Sequence, residues 1–320
     1  MAQTLNKKEP RTFEVIFFEF FNMWSPSVVP RSRYNMVSTY ESYIHNYLGD
    51  LTLAEIDHFI VLQPIRVLEM QNKTRTSVRV RQIIARVFDY AFYLGECSHN
   101  PMNIVLKVTR KHTQKRYPFV DPIYLPDFFR QIQSKNLDKC HLIALFCIVF
   151  TASRSGEVFG MQWNELDFNS RIWRIPAART KTRIDHEVFM CTQLVDLLEG
   201  WRAECPSEYY VFPSRYVCKN GEPITGASLR HAILRTKFAR KQTLHGFRHI
   251  FSTYCYESNL WRDDAIELCI AHNPMSNNYK FSKRFYNHAK YKEEKARLMQ
   301  WYGDVVEGWI FACDNEIIPI

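Results

Sequence analysis

Three short motifs in this chain carry side chains suited to chemistry on an anionic ester. The first is Thr151-Ala-Ser-Arg154-Ser-Gly-Glu157, which follows an apolar run and sets a guanidinium three residues before a carboxylate. The second is His245-Gly-Phe-Arg248, whose imidazole and guanidinium share one face if the segment is helical. The third is Lys181 within Arg179-Thr-Lys181-Thr-Arg183, a cation on what reads as a hairpin turn. An arginine fork matches two phosphate oxygens, and a nearby imidazole can donate to, or take a proton from, another. His272, after Leu268-Cys-Ile-Ala271, and the tyrosines Tyr279, Tyr286 and Tyr291 complete the set. Taken singly, each has a plain structural explanation: a surface ion pair, a helix-face pair, a solvated lysine, a helix-end histidine, packed tyrosines.

Elements must hold these groups together. The chain has 320 residues, a length that favours two domains. Apolar residues recur at helical spacing at Phe13, Ile16, Phe17, Phe20 and Phe21, and again at Val80, Ile83, Ile84, Val87, Phe88 and Ala91. Pro101 is expected to end this region, so residues 11–106 read as a small helical domain. A second domain spans 118–312, with 107–117 as a linker and 313–320 as a tail. In the second domain Leu125–Gln133 and His141–Phe150 read as helices. Arg171–Pro176 and His186–Met190 alternate as strands, and helices return at Leu194–Trp201, at Ser228–Phe238 and from Gly246 onward. The fold class is therefore mainly α with a small antiparallel β-sheet, an α+β arrangement.

Charge suggests the partner. Lys plus Arg number 42 against 33 Asp plus Glu, a net charge of +9, which suits a polyanion such as nucleic acid. Arg66, Lys73, Arg75, Arg79, Arg81 and Arg86 face one acid, Glu69, in their stretch, and Lys107, Arg110, Lys111, Lys115 and Arg116 face none. One such run is ordinarily a solvated face. Two of them flanking a domain boundary point to a clamp around duplex phosphates. No apolar run approaches a membrane span, and the longest, Leu142–Phe150, suits a core helix. Nine scattered cysteines without a C-x-x-C pair argue against a disulfide framework and a zinc site, and suggest a reducing cytosol.

The order of these motifs, Arg-x-x-Glu, turn Lys, His-x-x-Arg, His and then Tyr, resembles the catalytic constellation of the tyrosine recombinases, the phage integrase family. The likeness is greatest to integrases of satellite phages and genomic islands. It extends through Val211-Phe-Pro-Ser214, Glu257-Ser-Asn-Leu-Trp261, Asp264-Ala-Ile-Glu267, Ala271-His272, Tyr286-Asn-His-Ala-Lys-Tyr291 and Leu298-Met-Gln-Trp301. The resemblance implies that Arg154 and Arg248 bind the scissile phosphate and that Lys181 protonates the leaving 5′ oxygen. It implies that His245 and His272 complete the phosphate pocket, that Tyr286 is the nucleophile and that Glu157 orients the first arginine. The basic residues Arg75, Arg79, Arg81, Lys107, Arg110, Lys111, Lys115 and Arg116 are then expected on DNA.

A phosphodiester repels nucleophiles, so this site must supply positive charge; with cations already present, no metal and no cofactor are expected. A tyrosine of ordinary pKa about 10 needs neighbouring cations and an acceptor histidine. The product would be a 3′-phosphotyrosine, rejoined without ATP. The resemblance further implies a two-domain C-shaped clamp on core recombination sites, a monomer or dimer in solution and a homotetramer in the synaptic complex. It also implies an accessory DNA-bending protein and a bacterial cytosol near the nucleoid, with half-of-sites control through the C-terminal tail. Two departures stand out. Tyr286 follows His272 by 14 residues, longer than the family's interval, with Tyr279 competing at seven. About eleven residues precede the helical domain, so an N-terminal arm-binding domain is not expected. A non-catalytic DNA-binding protein and a relaxing topoisomerase with the same tyrosine chemistry are the alternative readings.

Overall fold

The structure is a computed structural model that describes residues 11–109, 117–215, 221–271 and 291–311, without the side chains of 106–108. The chain forms two compact units, Met1–Lys115 and Arg116–Ile320.

The first unit is helical: α1 (Phe13–Trp24), α2 (Pro30–Tyr43), α3 (His45–Leu48), α4 (His58–Met70), α5 (Thr74–Tyr93) and α6 (Met102–Val108). Thr12 caps α1 by accepting from the Val15 N–H, and Phe13, Ile16, Phe17 and Phe20 face inward at helical spacing. Phe17 stacks on Tyr40 of α2 with ring centroids 3.9 Å apart. Along α5 the inward stripe is Ser77, Val80, Arg81, Ile83, Ile84, Val87, Phe88 and Ala91. Pro101 does not end the helical region. It is the N-cap of α6, whose Met102 and Val105 join the core, because the first turn of a helix has no intrahelical use for the N–H that proline lacks.

The second unit contains α7 (Leu125–Gln133), α8 (Lys139–Thr151), α9 (Ser155–Phe159), β1 (Leu166–Asp167), β2 (Ile172–Ile175), β3 (His186–Phe189), α10 (Thr192–Glu204), α11 (Ala227–Leu234), α12 (Gly246–Ser258), α13 (Asp263–Cys269) and α14 (Lys292–Phe311). The fold is thus mainly helical with one small antiparallel sheet. The sheet runs β1-β2-β3, with Trp173 opposite Leu166 and Val188, and Ile175 opposite His186. β1 has only two residues, too few to show alternation in the sequence. α8 is the centre of the core: Cys140 and every residue from Ile143 to Thr151 are buried, as expected of a helix apolar on all sides. Phe128 and Phe129 of α7 pack on Phe247 of α12 with centroids 5.6 and 6.3 Å apart. α11 stops at Leu234, short of the expected Phe238, and the chain continues through turns in which Arg240 takes φ +61°. Among the described residues no helix is long and apolar enough to cross a membrane.

Candidate phosphate-binding site

The site begins where α8 stops. Ala152 adopts φ +49°, a left-handed cap that turns the chain, and Arg154 then becomes the N-cap of α9. Glu157 lies in the first turn of α9, where the helix dipole favours a carboxylate. It accepts the Arg154 main-chain N–H at 3.1 Å and the guanidinium at 2.9 Å. Glu157 is 4% exposed and the Arg154 side chain 20%, so this is a sheltered pair with its cation open on one side.

Arg248 enters the same place from α12. It is 4% exposed, and its guanidinium donates to the Ala152 carbonyl at 2.6 Å and the Ile270 carbonyl at 2.5 Å. Ala152 and Ile270 are the C-caps of α8 and α13, where carbonyls lack helical partners. One side chain therefore satisfies two helix ends. The Arg248 pKa is lowered to about 10, chiefly by burial and then by the charge of Arg154, while Glu157 and Glu267 oppose the shift. Two guanidinia thus share a desolvated pocket with one buried carboxylate beside them, and an anion would relieve the excess positive charge.

His245 stands at the N-cap of α12, one turn before Arg248. Its ring packs 4.5 Å from Tyr117 and 5.4 Å from His249. The intervening Gly246 is required sterically: a Cβ there would lie 2.6 Å from the Pro118 carbonyl.

Lys181 is exposed on the turn joining β2 to β3. The turn is braced internally. The buried Thr180 hydroxyl lies 3.1 Å from the Ala177 carbonyl and 2.9 Å from that of Ile184, and it accepts the Ile184 N–H at 3.1 Å. Asp185 accepts the Ala177 N–H at 2.7 Å.

Arg154, Glu157 and Arg248 are therefore brought together. His272, Tyr286 and the competing Tyr279 lie outside the described residues, as does the tail from residue 312. Of the expected DNA-contacting residues, Arg75 and Arg79 are exposed four residues apart on α5. Arg81 requires a correction. It is 6% exposed, its guanidinium donates to the Thr109 hydroxyl, and burial lowers its pKa, so it serves the packing of the first unit. Its place in the stripe between Ser77 and Ile84 was the available signal. The Lys107 side chain, Arg110, Lys111, Lys115 and Arg116 lie outside the described residues. Among the described residues no group of three or more His, Cys, Asp or Glu is placed to hold a metal ion.

Sequence reasoning passed over three further side chains. Glu165, 8% exposed, accepts from Trp173 Nε1 at 3.0 Å and pairs with Arg179. Arg179 also donates to the Glu157 carbonyl at 2.5 Å. His186 is the inward polar residue of β3, and burial lowers its pKa to about 4. A polar residue at an inward position of an alternating strand was the only hint of the last.

Comparison with known proteins agrees with this geometry. Residues 125–292 match the model of the phage integrase family, and residues 13–107 match that of the phage integrase central domain. The chain is 28% identical to the integrase of Shigella phage Sf6, over 92% of this chain and 74% of that protein. It is 26% identical to the prophage integrase IntA of Escherichia coli strain K12, over 95% and 73%. A lambda integrase tetramer bound to a Holliday junction superimposes with a TM-score of 0.67 at 16% identity, covering 87% of this chain and 82% of that one. The chain belongs to the phage integrase family and is a tyrosine recombinase of the prophage and satellite-phage kind.

Proposed function

We propose that the protein cleaves and rejoins duplex DNA at specific sites through a 3′-phosphotyrosine intermediate. In this reading Arg154 and Arg248 hold the non-bridging oxygens of the scissile phosphate and stabilise the charge that builds on them in the transition state. The Tyr286 phenolate attacks phosphorus, and His272 accepts the phenol proton. The bond to the 5′ oxygen breaks, and Lys181 supplies the proton that converts the leaving oxygen to a hydroxyl. His245 donates to a phosphate oxygen. Attack by a 5′-hydroxyl of another strand reverses each transfer and regenerates the phenol, so no outside energy source is required.

The observation that carries this reading is the pairing of Arg154 with the buried Arg248 around one carboxylate, Glu157. The two units would close on duplex DNA as a clamp, with Arg75 and Arg79 on the backbone and the segment 107–117 crossing it. Assembly as a tetramer on two core sites is part of the proposal, supported by the lambda integrase tetramer on a Holliday junction. The test is trapping of a protein–DNA adduct on nicked duplexes, with Tyr286→Phe as the control. An adduct that survives Tyr286→Phe would refute the nucleophile assignment, and no adduct despite tight, salt-sensitive binding would leave a DNA-binding protein without turnover.

A further inference from the structure

The turn carrying Lys181 is tied at its first stem to the helix that Arg154 caps and at its second to α14. Before the turn, Arg179 donates to the main-chain carbonyl of Glu157, on the helix that Arg154 caps. The buried Glu165 holds the same guanidinium, and Trp173 of β2 holds Glu165 at 3.0 Å. Gly160 leaves the space for this approach, since a Cβ there would lie 3.0 Å from the Arg179 guanidinium. After the turn, the inward residues His186 and Val188 of β3 are buried. β3 is anchored by α14, where Lys292 pairs with Glu187 at 2.8 Å and Lys295 donates to the Glu187 carbonyl at 3.3 Å. The first stem thus holds a main-chain carbonyl of the helix that Arg154 caps, and the second is held by α14.

The geometry points to Arg179 as a positioning residue that registers the Lys181 turn against the Arg154–Arg248 pair. This inference rests on the recombinase reading above, in which Lys181 is the proton donor to the leaving oxygen. An exposed lysine on a free hairpin would sample many positions, and a general acid must lie within hydrogen-bond reach of the atom it protonates. This clasp on one stem, with β3 held by α14 on the other, restricts the turn without touching the lysine itself.

The test separates acid positioning from general damage by changing the leaving group. A bridging sulfur at the scissile 5′ position leaves as a thiolate and needs no proton donor. Adduct formation is timed on nicked duplexes with bridging oxygen and with bridging sulfur. The variant is the double change Arg179→Met with Glu165→Gln, which removes the buried charge pair as a unit. Lys181→Ala serves as reference. Thermal melts and DNA affinity are measured alongside. The expected result is a loss of about tenfold or more on the oxygen substrate for the double variant, with most of that loss recovered on the sulfur substrate, as for Lys181→Ala. Wild-type rates on the oxygen substrate, or equal losses on both substrates, would overturn the proposal. Absence of any adduct with the unaltered protein would overturn the recombinase reading itself, and this one with it.

Discussion

Arg248 reaches the carbonyl of Ala152, two residues before Arg154, at a distance of 2.6 Å. The second arginine thereby fixes the corner that presents the first. A lysine at 248 has one point of charge and cannot satisfy both the Ala152 and the Ile270 carbonyls in the arginine's fork geometry. Arg248→Lys is expected to lower the rate of adduct formation by about a hundredfold or more. It should also destabilise the fold by roughly 1–3 kcal/mol through the unsatisfied carbonyl. Single-turnover cleavage and urea unfolding check the two effects.

The pocket's excess positive charge makes it an anion site even without DNA. Inorganic phosphate is expected to raise the melting temperature, by a stabilisation of roughly 2.7 kcal/mol at a hundredfold excess over Kd. Arg154→Gln should abolish that rise. Glu157→Gln should destabilise the free protein by about 3 kcal/mol, since it leaves two guanidinia without their buried counter-charge. Added phosphate should recover part of that loss, as followed by calorimetry.

Gly246 is dictated by contact rather than by backbone conformation, because a Cβ there would meet the Pro118 carbonyl at 2.6 Å. Gly246→Ala must push main chain apart at the start of α12, which carries both His245 and Arg248. A cost of about 1–3 kcal/mol is expected, together with a lower cleavage rate. Melting curves and the adduct assay report on each.

His186 predicts a pH dependence of stability. Burial, with Lys295, Arg248 and Arg154 adding to it, holds its folded pKa at about 4, against an ordinary value near 6.5. Between these values the unfolded chain binds a proton that the folded chain refuses, so stability falls as the pH drops from 6.5 towards 4. Above 6.5 the contribution is complete. It amounts to roughly 3 kcal/mol across the window. Urea midpoints measured from pH 7.5 to 4.5 should fall less steeply for His186→Leu than for the unaltered chain.

Much of this was legible because it is local. The stripes Phe13–Phe20 and Val80–Ala91 announce their helices through spacing alone, and Leu125–Gln133 is observed with the expected bounds. The Arg154–Glu157 pair is an i,i+3 relation and could be read directly. What escaped depends on chain segments distant in sequence. Nothing near Gly246 reveals the Pro118 carbonyl above it, and nothing near Arg179 reveals the carbonyl it meets on α9. Arg81 was misplaced because a charge count ignores the face on which a residue falls. It lies within the inward stripe of its helix, whereas Arg75 and Arg79 lie outside it.

The proposed chemistry is covalent catalysis by Tyr286 on a phosphate held by Arg154 and Arg248. The most direct measurement runs the unaltered protein, Tyr286→Phe and Tyr279→Phe side by side on nicked duplexes drawn from the flanks of its own gene. Adducts are resolved on denaturing gels. The expected result is an adduct that is lost in Tyr286→Phe and retained in Tyr279→Phe. An adduct that persists in Tyr286→Phe and disappears in Tyr279→Phe would contradict it.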